Sequence, residues 1–148
     1  IVATETSKYG GNGLCRYITK PIILNTDFDA GDLRVYYTAY RPVGTNIYVY
    51  YKIINRNDTS SFADKNWKLM TLINGSRTYS TKKGETFEYI AAPGINGIAD
   101  NKVSYTDNSG NIYVDFNRFA IKVVCSTNDK TKIPYLTDIR GIALPEAV

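Results

Sequence analysis

The 148-residue chain contains no histidine, and this absence excludes much of the chemistry that side chains commonly perform. Without an imidazole it cannot assemble a Ser-His-Asp or Cys-His catalytic group, or most catalytic zinc sites. Ser80 and Lys83 have the Ser-x-x-Lys spacing of a nucleophile and its base, which requires a shared helical face and a desolvated lysine. They lie in a polar segment beside Gly84, so we interpret them as part of a solvated loop.

Clustered carboxylates at Asp27, Asp29 and Asp32, in the segment DFDAGD, have the oxygen-rich character of a calcium loop. The spacing departs from that of an EF-hand, because Gly31 is the fifth residue counted from Asp27 and Thr38 stands at the twelfth position. We therefore interpret the segment as a turn whose carboxylates accept hydrogen bonds from its own backbone amides.

A pair of carboxylates about 5–10 Å apart could hydrolyse a glycoside, and Glu85, Glu88 and Asp115 are the candidates for it. Nothing in their spacing requires them to meet. The glycines also lack the lysine and the strand-to-helix context of a phosphate-binding loop. The sequence therefore predicts no catalytic residues, no cofactor and no metal, and the protein is not expected to be an enzyme.

The two cysteines, Cys15 and Cys125, are too few for a disulfide framework. Cys125 continues an alternating apolar series in a predicted strand, which favours a small buried side chain. A disulfide between Cys125 and Cys15 is the alternative.

The strongest positive feature is the segment 33–54, which holds six of the thirteen tyrosines. Its odd-numbered positions are mostly apolar and its even-numbered positions are polar or tyrosine, the alternation of strands buried on one side. With turn residues at 41–45, this pattern predicts a β-hairpin with its odd face in the core and its even face partly exposed. That even face is the candidate contact surface, and it consists of Arg34, Tyr36, Tyr40, Tyr48, Tyr50 and Lys52.

Tyrosine side chains on such a face suit several roles. The ring gives flat apolar area while the hydroxyl stays hydrated, which suits protein or glycan contacts. Next to basic side chains it could also stack bases. Alternatively the tyrosines are purely structural, as cross-strand pairs covered by another sheet, a loop or a neighbouring domain.

Short strand patterns separated by turn signals continue along the rest of the chain, with almost no helical periodicity. They predict an all-β, antiparallel two-sheet sandwich, jelly-roll-like, of eight or nine short strands. The first strand is predicted at 14–24 with Pro21 at an edge or a bend, and a second hairpin is predicted around the turn at 107–110. One domain is predicted over 14–148, after a flexible lead-in over 1–13.

The net charge of +4 is mild, and the basic residues are scattered along the chain. No apolar stretch approaches the roughly 18–20 residues of a membrane span, so no membrane partner is expected. Because the chain begins at Ile1 rather than at methionine, we expect it to be a processed product or a piece of a longer polypeptide.

Three segments carry a resemblance to a known kind of module: LRVYYTAYRPVGTNIYVYYKI, the stretch from Phe62 through Trp67 to Met70, and FAIKVVCSTNDKTKIPYLTDIRGIALP. Over about 16–145 the chain resembles a β-sandwich module of virion structural proteins of tailed bacteriophages, notably baseplate- and tail-associated chains of large contractile-tailed phages. The motifs consist of structural residues, so they identify the module better than its task.

The resemblance implies a non-catalytic scaffold and interaction module, without a cofactor, in the tail or baseplate region of a particle assembled in the host cytoplasm. The implied partners are other virion proteins or copies of the same chain, and nucleic acid is not expected. The alternative is a carbohydrate-binding β-sandwich module that contacts host-surface glycans through its tyrosines.

Overall fold

A computed structural model describes residues 5–8, 15–25, 28–72, 85–91, 103–127 and 131–145. Three features singled out in the sequence lie outside these residues. They are the glycine-rich part of the lead-in at 10–13, the Ser80 and Lys83 pair, and Asp27.

The described part of the chain contains eleven strands and one turn of 3-10 helix, Phe62–Asp64, within the polar segment that follows the fourth strand. The strands are β1 (Cys15–Ile18), β2 (Ile22–Ile23), β3 (Ala30–Tyr40), β4 (Thr45–Ile54), β5 (Lys68–Leu69), β6 (Thr71–Leu72), β7 (Glu85–Ile90), β8 (Tyr105–Thr106), β9 (Ile112–Tyr113), β10 (Arg118–Thr127) and β11 (Tyr135–Pro145). Among these residues, no helix is long and apolar enough to cross a membrane.

The strands form two main antiparallel sheets and one small hairpin. Sheet 1 has the order β1, β10, β4, β5, with β2 also paired to β10, and sheet 2 has the order β11, β3, β7, β6. The hairpin β8–β9 stands beside them. The prediction of an all-β antiparallel sandwich is confirmed.

Alternation along β3 and β4 builds much of the core between the two sheets. The odd-numbered side chains of both strands are buried, and they pack with inward residues of β7 and β10 in one cluster. Tyr37 and Tyr89 bring two hydroxyls into this cluster, with their oxygens 2.7 Å apart. The Tyr89 hydroxyl donates to the carbonyl of Ile47 and accepts from the guanidinium of Arg41, each at 3.1 Å. The buried polar atoms of Tyr89 are therefore hydrogen-bonded, as buried polar groups must be.

The prediction that 33–54 forms a β-hairpin is wrong. β3 pairs with β11 and β7 in sheet 2, whereas β4 pairs with β10 and β5 in sheet 1. The turn between them, with Gly44 at a φ of 94°, carries the chain from one sheet to the other. Both strands still turn their odd residues toward the core, because the core lies between the sheets. Their even residues therefore point outward on opposite sides of the sandwich.

The first predicted strand is interrupted where proline cannot donate a ladder hydrogen bond. β1 and β2 pair with β10 on either side of Pro21, at the edge of sheet 1. The register places Cys15 directly opposite Cys125, and Cys125 is half-buried against the core. This register is compatible with both interpretations of the cysteines, namely Cys125 as a small buried side chain and a disulfide between Cys125 and Cys15.

The predicted hairpin around 107–110 is confirmed as β8–β9, with Tyr105 opposite Tyr113. The Asp107 carboxylate accepts hydrogen bonds from the backbone amides of Ser109 and Asn111, at 2.9 and 2.8 Å. Gly110 has a φ of 89°, a value that L side chains rarely adopt. The turn is thus closed by the carboxylate of its first residue.

Residues 5–8, which belong to the predicted lead-in, pack on the outer face of sheet 1. Glu5 is fully buried, and its carboxylate lies 3.0 Å from the ammonium of Lys122 on β10. The amide of Trp67 donates to the carbonyl of Thr6 at 2.8 Å. Part of the predicted lead-in is therefore docked on the sandwich.

Candidate functional site

The six residues of the predicted contact surface do not form one surface. Arg34, Tyr36 and Tyr40 lie on the outer face of sheet 2. The other three residues of the predicted surface are on β4 and face outward from sheet 1, so the two sheets of the sandwich separate the two groups. These three residues are Tyr48, Tyr50 and Lys52.

On sheet 2 the outer side chains of β3 meet those of β11. The rings of Tyr40 and Tyr135 are 5.6 Å apart between centroids, and the register pairs Tyr36 with Arg140 and Arg34 with Ile142. We call this surface the tyrosine face, and it consists of Arg34, Tyr36, Tyr40, Tyr135, Arg140 and Ile142. Tyr135 and Ile142 are about two-fifths exposed, Arg140 is exposed, and the three β3 side chains are half-buried.

On sheet 1 two of the outer side chains of β4, those of Tyr50 and Lys52, are covered, which corrects their assignment to a contact surface. Tyr50 is fully buried and Lys52 is 7% exposed, while Tyr48 is half-buried. The cover is Trp67 with Phe62, which pack on this face, together with the docked segment 5–8. Tyr50 and Lys52 are therefore structural residues in this chain.

Two ammonium groups lie within this cover. Lys52 Nζ is 4.6 Å from the centroid of the Trp67 ring, and Lys122 Nζ is 5.2 Å from it. Burial lowers the pKa of Lys52, and the neighbouring charge of Lys122 lowers it further. Cation–π contacts of this kind help to retain a charge that is taken out of water.

A polar cleft of about 460 Å³ opens where β4 ends, between the segment 55–66 and the β8–β9 hairpin. Its lining includes three lysines, three aspartates, three tyrosines and three asparagines. They are Lys52, Lys65, Lys68, Asp58, Asp64, Asp107, Tyr51, Tyr105, Tyr113, Asn66, Asn108 and Asn111.

A buried charged group forms the floor of the cleft. Asp58 Oδ2 lies 2.6 Å from Lys65 Nζ and accepts a hydrogen bond of 2.8 Å from the Tyr105 hydroxyl. The same hydroxyl accepts from the amide of Asn55 at 2.8 Å, and Ser60 donates to the other carboxylate oxygen of Asp58. The side chain of Asp58 is only 3% exposed, so this network fixes its position.

The network also sets the ionisation of Asp58. Burial alone would raise the pKa of Asp58, but hydrogen bonds from Lys65, Ser60 and Tyr105 outweigh that effect and hold it well below its ordinary value. Burial raises the pKa of Tyr105, and the charge of Asp58 contributes to the shift. At neutral pH the floor therefore holds the ionised carboxylate of Asp58 and the neutral phenol of Tyr105.

We expect stability below pH 4 to depend on Asp58. The pKa of Asp58 is lower in the folded chain than in the unfolded chain, where it is about 3.9. Above that pH the ionised carboxylate stabilises the fold, and this stabilisation is lost as the pH falls below about 3.9. Unfolding by urea at pH 4 and pH 2 should show a smaller loss of stability for Asp58→Asn than for the unsubstituted chain. Asp64→Asn, at a side chain that is 65% exposed, is the control. Equal acid sensitivity of the Asp58→Asn variant and the unsubstituted chain would contradict this role.

One wall of the cleft, beside the floor, is aromatic. The Tyr113 ring stacks on the Tyr105 ring with centroids 5.1 Å apart and an interplanar angle of 26°. Tyr113 is half-buried, and its hydroxyl lies 3.4 Å from Asp107 Oδ2. On the far side, the ammonium of Lys68 is 3.5 Å from the carbonyl oxygen of Ser104. Both walls are thus tied to the hairpin and to β4.

The carboxylates considered for chemistry are engaged elsewhere. Asp32 lies within β3 and pairs with Arg34 at 3.2 Å, and Asp29 pairs with Arg56 at 3.1 Å. Among the described residues no group of three metal-ligating side chains occurs.

The glycosidase candidates are likewise separated. Glu88 lies 3.4 Å from Arg34 on the outer side of sheet 2. Asp115 instead accepts a hydrogen bond from the side chain of Asn55, which follows β4 of sheet 1. The fold does not bring these two carboxylates together as a pair.

Sequence reasoning missed the cleft because its residues come from segments that read as ordinary polar turns. Asp58 and Tyr105 are 47 positions apart, and no spacing rule links them. The available signal was weak: two tyrosines flank the turn of the second hairpin, at positions that an antiparallel pairing brings opposite each other.

Comparisons with protein-family models, with curated proteins and with solved structures found no match to this chain. The tyrosine face and the cleft therefore carry the functional inferences by themselves.

Proposed function

We propose that this domain is a non-catalytic contact module that docks on another protein through its tyrosine face. The observation that carries the proposal is the composition of that face. Tyrosine and arginine are enriched in protein interfaces, and here Tyr36, Tyr40 and Tyr135 stand beside Arg34 and Arg140 on the outer face of sheet 2.

The exposure of the face supports the same role. Tyr135 and Ile142 are 42% and 41% exposed. A partner that docks on them would therefore remove apolar surface from water, next to the paired rings of Tyr40 and Tyr135. In contrast, the corresponding side chains of sheet 1 are covered by the chain itself.

The resemblance to virion structural modules supplies the setting that we propose. In that setting the chain belongs to a tail or baseplate protein of a phage particle, and its partners are other virion proteins or copies of itself.

The test is the incorporation of a Tyr40→Ala/Tyr135→Ala variant into particles. Both side chains lie on the surface, so the isolated domain should fold with nearly unchanged stability. We expect the amount of the chain in purified particles, measured by quantitative mass spectrometry, to fall at least about tenfold, because central aromatic side chains dominate interface energies.

The matched control is Tyr17→Ala on β1, where the side chain is 55% exposed and lies outside the tyrosine face. It should be incorporated normally. Incorporation of the double variant at the unsubstituted level, or absence of the unsubstituted chain from particles, would overturn the proposal.

A further inference from the structure

The cleft beside β4 is independent of the tyrosine face, since it is built from the segment 55–66 and the β8–β9 hairpin. Its volume of about 460 Å³ lies within the range of small-molecule sites.

Its lining offers donors and acceptors in alternation. Lysine ammonium groups only donate, carboxylates only accept, and the amides of Asn66, Asn108 and Asn111 do both. A hydroxyl group both donates and accepts, so a ligand carrying several hydroxyls can satisfy either kind of neighbour. The lining therefore favours a polyhydroxylated ligand.

The charge balance of the lining favours a neutral ligand over a strongly charged one. Three lysines and three aspartates line the cleft, so its formal charge sums to zero. A phosphate would meet the aspartates, and a cation would meet the lysines. A neutral ligand encounters neither penalty.

The aromatic wall and the rigid floor complete the site. Tyr113 stacks on Tyr105, which is held by the hydrogen bonds to Asp58 and Asn55. Tyrosine offers a flat apolar surface with a polar edge, which suits the C–H face of a sugar ring. Because the floor is already ordered by hydrogen bonds, little conformational entropy remains to be lost on binding.

We propose that this cleft binds a neutral saccharide, packed against Tyr113 and hydrogen-bonded by Lys68 and by the asparagines that line the cleft. The proposal differs from the glycan alternative derived from the sequence, because the four tyrosines of the predicted contact surface do not line the cleft.

The test is a titration of the isotope-labelled protein, followed by amide chemical shifts, with glucose, galactose, N-acetylglucosamine, lactose and cellobiose. We expect at least one of them to cause saturable shifts within 58–66 and 104–113, with a dissociation constant of about 0.1–10 mM. Inorganic phosphate and a heparin disaccharide serve as anionic probes. No saturable shift with any neutral sugar, or a response of these residues to the anionic probes only, would overturn the proposal.

Two variants localise the binding. Tyr113→Ala removes the aromatic wall and should weaken binding at least about tenfold. Asn108→Ala changes an exposed lining residue of a turn that Asp107 holds closed, so it tests the site without removing a packed side chain. We expect a severalfold loss of affinity. Tyr17→Ala is the matched control, and unchanged affinity in both cleft variants would show that the sugar binds elsewhere.

Discussion

Replacement of Phe116 by alanine is expected to lower the free energy of unfolding by about 3–5 kcal/mol, the usual cost of removing a buried aromatic ring. Phe116 is fully buried, and its ring meets that of Phe119 edge-on at 6.1 Å. Its amide and carbonyl both exchange hydrogen bonds with Ala30, the first residue of β3. Because Phe116 precedes β10 of sheet 1, this residue connects the two sheets, and a cavity there cannot close without moving both.

Urea unfolding followed by the fluorescence of Trp67, the single tryptophan of the chain, would measure the effect of Phe116→Ala. Val114→Ala is the matched control, since Val114 lies two positions away and is 47% exposed. It should change stability by less than about 0.5 kcal/mol. A loss below about 1 kcal/mol for Phe116→Ala would contradict the role of this ring in joining the sheets.

Removal of the Glu5 carboxylate is the second substitution with a large expected effect. In Glu5→Ala the ammonium of Lys122, which is 1% exposed, would lose its ion-pair partner at 3.0 Å while remaining beside the rings of Tyr50 and Trp67. Breaking a buried ion pair by removing one partner costs about 3–5 kcal/mol, because the other charge stays buried without compensation. We expect that loss, with a change in the fluorescence of Trp67, because the Lys122 ammonium lies 5.2 Å from the centroid of its ring.

A double-mutant cycle separates the ion pair from the packing of its members. Glu5→Gln and Lys122→Met should each destabilise the fold, and Glu5→Gln/Lys122→Met should recover much of the loss, since neither charge is then buried. Lys8→Ala is the internal control, because Lys8 pairs with the exposed Asp64 and exposed pairs contribute about 0–1 kcal/mol. If Glu5→Ala costs no more than Lys8→Ala, the buried pair does not hold the segment.

Both large effects concern contacts between residues far apart in the chain. Ala30 and Phe116 are 86 positions apart, and Glu5 is 117 positions from Lys122. The same holds for Asp58 and Tyr105 in the cleft. Local patterns in the sequence could not have paired any of them.

The positions that enter the core were predictable, because burial on one side of a strand imposes an alternation that is local. Every odd residue from Leu33 to Ala39 and from Ile47 to Ile53 is buried as that alternation predicts. The turn at 107–110 was predictable for a similar reason, since Asp107 and Gly110 act within four residues.

The side of the sandwich on which a residue lies was decided only by the tertiary structure. The alternation of apolar and polar residues predicts which side chains face the core. The same alternation results whether two consecutive strands pair within one sheet or lie in two sheets that face each other. The segment 33–54 was therefore predicted as one hairpin, although β3 and β4 belong to different sheets. That difference moved Tyr36 and Tyr48 to opposite surfaces.

The solvent exposure of the outward-facing residues also could not be predicted from the sequence. Tyr50 and Lys52 stand at even-numbered positions, which the alternation predicts to be exposed. Trp67 and the distant segment 5–8 nevertheless cover them. What covers an outward face depends on long-range packing rather than on the residues of that face. The sequence by itself determined the fold class and the inward residues, whereas only the tertiary structure decided which tyrosines can meet a partner and where a cleft forms.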